Sequence, residues 1–100
     1  MKLSLLDRVT ILNILPEKGS YETIVVRKEL VEKVGIKQTE LDEYKIKDLG
    51  NGSIQWDTTV EDKDYDLTER EERLVRDSFK EKDRKEELTT SMLDTYEKFR

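Results

Sequence analysis

Two short motifs say where helices begin near opposite ends of this chain. Ser4-Leu5-Leu6-Asp7 and Thr68-Glu69-Arg70-Glu71 each place a hydroxyl residue three positions before an acid. The hydroxyl accepts from the backbone N–H of the third helical residue, and the acid reaches back to the N–H of the cap. Two donors that a helix end leaves unpaired are thereby satisfied together. After the first box, Leu5, Val9 and Leu12 share one face while Ile11, Ile14 and Leu15 occupy others. A helix apolar on most sides belongs at the centre of a core. Pro16 ends it, because proline lacks the N–H and its ring collides with the preceding turn, and Glu17-Lys18-Gly19 makes the connection.

Ser20 caps a second helix from Tyr21 to Val34, with Ile24, Leu30, Val31 and Val34 as its buried stripe. Gly35 stands where a left-handed residue commonly ends a helix. Ile24-Val25-Val26 is β-branched, so a strand competes over 21–26, but the apolar spacing continues beyond it and favours helix. A short third helix, capped by Thr39, turns Leu41 and Tyr44 inward. The period then changes. Tyr44, Ile46 and Asp48 alternate with Lys45, Lys47 and Leu49, and Ser53–Asp57 puts Ile54 and Trp56 on one face. Gly50-Asn51-Gly52 between them supplies the positive φ angles of a tight hairpin. Asp64–Leu67 is a candidate third strand.

The second box opens a long helix to about Glu86, whose apolar stripe of Leu74, Val75 and Phe79 is thin. A last helix begins after Thr89, with Leu88 and Leu93 spaced as a hydrophobic staple and Met92, Tyr96 and Phe99 at i, i+4 and i+7. No repeat or linker divides residues 1–100. The pattern predicts one compact α+β domain, with helices at both ends around a small antiparallel β-hairpin or three-stranded sheet.

Composition narrows the chemistry. The chain has no histidine, no cysteine and no alanine, and 43% of it is charged. It therefore lacks the usual general base near neutral pH, the commonest metal ligand, a thiolate nucleophile and any disulfide. With 24 acids, carboxylate pairs at helical spacing arise by chance, and none stands in an apolar sequence setting that would shift its pKa. No glycine-rich phosphate loop is present. The expectation is a protein without catalytic activity or cofactor. Leu, Ile, Val and Phe number 27, enough for a small core. Net charge is −5, distributed as +1 over residues 1–35, −2 over 36–60 and −4 over 61–100. That field repels a phosphate backbone, making nucleic acid a disfavoured partner. No apolar run approaches the roughly 20 residues a membrane helix needs, so no membrane partner and a cytoplasmic location are expected.

Four groups of residues are candidates for contact. Asp62, Asp64 and Asp66 alternate like the start of a calcium loop, but Leu67 and Arg73 stand where Gly and Glu are required. They read as the acidic face of an edge strand. Glu29–Tyr44 has the outline of a helix-turn-helix, with Gly35 in the turn and the hairpin as a wing. Val31 in place of a small residue, and Glu40, Asp42 and Glu43 against Lys37, oppose DNA reading. Arg70, Arg73, Arg76, Lys80 and Arg84 line one side of the long helix. Acids at Glu69–Arg73, Glu72–Arg76 and Glu81–Lys85 spacing favour a self-paired, solvated face. Among the aromatics, Trp56 beside Ile54 reads as core, while Tyr96 and Phe99 are the better candidates for a partner or a second subunit. The contact set is thus Tyr96, Phe99, Asp62, Asp64, Asp66, Arg73, Arg76 and Lys80.

Leu5-Leu6-Asp7-Arg8 through Ile14-Leu15-Pro16-Glu17-Lys18-Gly19, and Leu88-Thr89 to Tyr96-Glu97-Lys98-Phe99, resemble small uncharacterised proteins of bacteriophages and prophages. In those proteins too, the first helix ends in a Leu-Pro turn and the chain closes on a Tyr-Glu-Lys-Phe-like helix. The resemblance implies a phage-borne gene expressed in a bacterial host, and transfers no catalytic residue. The reading is a small acidic interaction protein that binds a host or defence factor. A winged-helix-like DNA-binding regulator and an oligomeric scaffold joined through the last helix are the alternatives.

Overall fold

The computed structural model describes residues 1–49, 54–56 and 61–100. The elements are β1 (Lys2–Leu3), α1 (Leu5–Ile14), α2 (Tyr21–Val34), α3 (Gln38–Glu43), β2 (Lys47–Asp48), β3 (Ile54–Gln55), β4 (Lys63–Asp64), α4 (Glu69–Arg84) and α5 (Thr90–Phe99). Helix dominates. α1 packs against α2, α4, α5 and β1, as its nearly all-round apolar surface requires. The core joins Leu3, Ile11, Ile14 and Leu15 to Leu30 and Val34 of α2, Val75 and Phe79 of α4, and Phe99 of α5. Burial of each such side chain is worth about 1.5–3 kcal/mol relative to exposure.

Both capping boxes form. Ser4 accepts from the Asp7 N–H at 3.0 Å while Asp7 accepts from the Ser4 N–H at 2.9 Å. Thr68 and Glu71 do the same at 3.2 and 2.8 Å. The β-branched run of α2 is helical, but its buried stripe is Val26, Leu30 and Val34, with Ile24 exposed. The face turned to α4 passes through position 26, a choice that three adjacent β-branched residues do not announce. Gly35 is not left-handed: it is extended, with φ −60° and ψ 150°. Glycine is needed there for room, since a Cβ would lie 2.3 Å from the Val31 carbonyl oxygen. α3 starts at a Lys37 cap rather than at Thr39, because Glu40 reaches back to the Lys37 N–H at 3.1 Å.

β2 and β3 pair antiparallel, with Lys47 opposite Gln55 and Asp48 opposite Ile54, which gives the hairpin. The Gly50-Asn51-Gly52 turn lies outside the described residues. The third strand does not extend this hairpin. β4 pairs antiparallel with β1, Lys2 opposite Asp64 and Leu3 opposite Lys63, so two separate two-stranded sheets replace a single three-stranded one. α4 stops at Arg84, short of Glu86, which takes a left-handed φ of 58° and reverses the chain towards α5. Leu88 packs on the core, whereas Leu93, its expected staple partner, is exposed.

Candidate functional site

The third helical residue of α1, of α3 and of α4 is an acid, and all three acids are buried: Asp7, Glu40 and Glu71. Each closes its own helix end and also holds a cation from a distant element. Arg8 of α1 meets Glu40 with both ends of its fork, Nη1 to Oε2 at 2.7 Å and Nη2 to Oε1 at 2.9 Å. Its remaining donors reach the carbonyls of Val34, at 3.0 Å, and Gly35, at 2.9 Å. One guanidinium, 3% exposed, therefore joins α1, the end of α2 and α3, with the Tyr65 ring 5.5 Å away. The Arg8 hydrogen bonds, opposed by burial and helped by the Lys37 N–H, hold the Glu40 carboxyl down at about 2.

Asp7 accepts from Thr95 Oγ1 and Lys98 Nζ of α5. Burial works against its charge, but the bonds from Lys98, Thr95 and Ser4 prevail and keep its pKa below the ordinary value. Glu71 takes Lys33 of α2 at 2.6 Å. Burial again opposes ionisation, and Lys33 with the Thr68 cap outweighs it, lowering the pKa. A carboxylate locked in its ionised form is poorly suited to move protons near neutral pH. These groups fasten helices together.

That fastening leaves one side of α4 open. Two hollows of about 450 Å³ and 130 Å³ follow it. The floor of the first is Ile14, Leu15, Pro16 and Leu74, and Val26 contributes to the second. Leu74 and Asp77 border both, so the two hollows adjoin along α4 as a groove with those residues between them. The first hollow lies where α1 has ended at Ile14 and the chain turns through Pro16, and the second lies between the start of α2 and α4.

The charges on the groove fall into two kinds. Its cations are mostly paired within the chain: Arg70 with Glu29 at 3.2 Å, Arg73 with Glu69 at 3.5 Å and Lys85 with Glu81 at 3.6 Å. Of its five acids, Glu81 is paired, while Glu17, Glu22, Asp77 and Glu87 have no ion-pair partner among the described residues. Lys82 is the one groove cation in the same position among the described residues.

Several residues expected at a contact surface lie elsewhere. Phe99 is 2% exposed and belongs to the core. Tyr96 is half-buried, stacked on Phe79 with ring centres 4.9 Å apart. Both face inward because α5 packs on α1 and α4 along the Thr95 and Phe99 side. Arg76 does not pair with Glu72; its Nε donates to the Phe99 carbonyl at 2.7 Å. Lys80 is exposed, and Arg73 alone of the contact set borders the groove. Asp62, Asp64 and Asp66 are exposed, Asp64 accepting from the N-terminal amine at 2.8 Å. Among the described residues, no three metal-ligating side chains converge. Glu40, counted as a surface acid of a recognition helix, is instead inside.

Asp7, Arg8, Glu40, Glu71 and Thr95, buried, and the partly exposed Lys33 and Lys98 that meet them form a set that sequence does not reveal as a unit. The capping boxes marked two of its acids, and nothing local marked Arg8. The exposed aromatic is Tyr21, 88% accessible at the start of α2. Comparison of the chain with protein-family models, with curated proteins and with solved structures finds no match. Among the described residues, no helix is long and apolar enough to cross a membrane.

Proposed function

We propose that this protein acts by binding another protein, in the groove along α4. The observation that carries this reading is the groove's make-up: an apolar floor and a charged rim, on helices fastened by ion pairs to buried acids. A desolvated apolar centre inside a polar rim is the usual anatomy of protein recognition, and a rigid scaffold reduces the ordering cost of binding. The likeness of the chain's ends to small phage proteins supports a bacterial cell as the setting and a host factor as the partner. The exposed face of α5 offers Leu93 as its large apolar residue, which favours the groove over assembly through the last helix.

Photo-crosslinking in bacterial cells tests this. A crosslinking amino acid replaces Asp77, which borders both hollows; controls replace Asp94 on α5 and Asp62 in the acidic segment. Discrete adducts from position 77 and none from 94 are expected. Adducts from 62 alone, or equally from all three, would overturn the groove as the site.

A further inference from the structure

Resting on that reading, we infer that the groove's occupant is a cationic amphipathic helix of the partner protein. Charge supplies the first step. Glu17, Glu22, Asp77 and Glu87 are unpaired among the described residues, whereas Arg70, Arg73 and Lys85 already meet acids of their own chain. Among the described residues, the groove's unpaired charge is therefore mainly negative, four carboxylates against Lys82. A partner bearing lysines or arginines gains these contacts, and an acidic partner meets like charge.

Backbone chemistry supplies the second step. The groove is walled by α1, α2 and α4, and among the described residues none that lines it belongs to a strand. An extended segment would find no row of backbone donors and acceptors there, while a helix satisfies its own. The third step is length. Seven residues of α4, Arg70, Arg73, Leu74, Asp77, Ser78, Glu81 and Lys82, border the groove together with its C-cap Lys85. Their spacing repeats at i, i+3 and i+4 over about 22 Å, the length of a helix of about fifteen residues. Apolar anchors on the occupant would sit over the half-buried Leu74 and Pro16, with its cations towards Asp77, Glu17 and Glu87. A second copy of this chain fits less well, since each copy carries net charge −5.

The test uses three 16-residue helical peptides read by amide chemical-shift mapping on the full chain. One carries leucines on a single face and lysines elsewhere; one has glutamates for the lysines; one scrambles the first. The leucine–lysine peptide is expected to shift amides of α4 and of residues 13–17. Its affinity should fall about tenfold when salt is raised far enough to shorten the screening length several-fold. It should also weaken in a Glu17→Lys, Asp77→Lys variant whose circular dichroism is unchanged. Binding of the acidic peptide at the same residues, equally or better, would overturn the cationic occupant and leave the groove reading intact. Equal binding of the scrambled peptide would overturn the helix, and so would silence of all three peptides where position 77 still crosslinks. Silence together with no crosslink at 77 would remove the groove reading as well. Concentration-dependent shifts of the groove without peptide would assign it to a second copy and overturn the proposal.

Discussion

α1 and α4 use charge in opposite ways. Asp7 and Arg8 are the charged residues of α1, and both are buried, at 4% and 3% exposure. Twelve of the sixteen residues of α4 are charged, and of these Glu71 alone is buried. The sparse charges of α1 join four helices, through Glu40, Lys98 and the carbonyls at the end of α2. The dense charges of α4 mostly meet neighbours one turn away or water. Charge density is thus a poor guide to where charge matters. A buried pair holds the fold because removing one member strands the other in a medium that cannot solvate it. An exposed pair loses little when broken, because water replaces the partner.

The comparison breaks most readily at Arg8. Arg8→Met leaves buried Glu40 with the half-exposed Lys63, at 3.5 Å, as its remaining cation, and a loss of about 3 kcal/mol in urea-unfolding free energy is expected. Adding Glu40→Leu should recover much of it by removing the stranded charge. If Arg8→Met unfolds at the wild-type midpoint, the distinction between the two helices falls.

Acid separates the regions next. Asp7, Glu40 and Glu71 all have folded pKa values below their ordinary ones, Glu40 from 4.5 to about 2. A depressed carboxyl contributes stability that is present above the unfolded pKa and lost as pH falls through the folded one. The urea midpoint should therefore drop between pH 4.5 and pH 2, with a shallower slope in Glu40→Gln. Salt sharpens the test, since it screens exposed pairs and leaves buried ones nearly untouched. A pH profile that high salt flattens would put the acid-sensitive contacts among the exposed pairs of α4 instead.

Gly35→Ala strikes the same buried region through the backbone. The new Cβ would press on the Val31 carbonyl at 2.3 Å, next to the Gly35 carbonyl that receives Arg8. A loss of about 1–3 kcal/mol is expected in the same unfolding measurement.

The legible features are local ones. Ser4, Ser20 and Thr68 marked helix starts because a cap acts within three residues. The nearly all-round apolar surface of α1 marked it as central, and the thin stripe of α4 marked a helix with one narrow buried side and a solvated, charged one. What was hidden depends on partners far along the chain. Arg8 meets Glu40 across 32 residues, and Asp7 meets Lys98 across 91. β1 is two residues long and is defined by β4, so no periodicity reveals it. The groove was not legible either. It depends on where α1 and α2 stop relative to α4, and only Arg73 of the expected contact set borders it.

The smallest expected difference is the sharpest test, because it lies within α4. Arg76 and Arg84 belong to one row in sequence, eight residues apart on one side of the helix. Arg76 Nε reaches the carbonyl of Phe99, at the end of α5, where a helix leaves acceptors unpaired and a cation is favoured. Arg84 meets Glu81 on its own helix in full solvent. Arg76→Met should cost about 1 kcal/mol, the net worth of a partly buried hydrogen bond with a charged donor, and should speed amide exchange at the end of α5. Arg84→Met should move neither the midpoint nor the exchange. Equal effects would mean that position along α4, not contact with another element, decides what a charge is worth. Unequal effects would show the contrast between α1 and α4 repeating inside one helix, with reach to a distant partner as its cause.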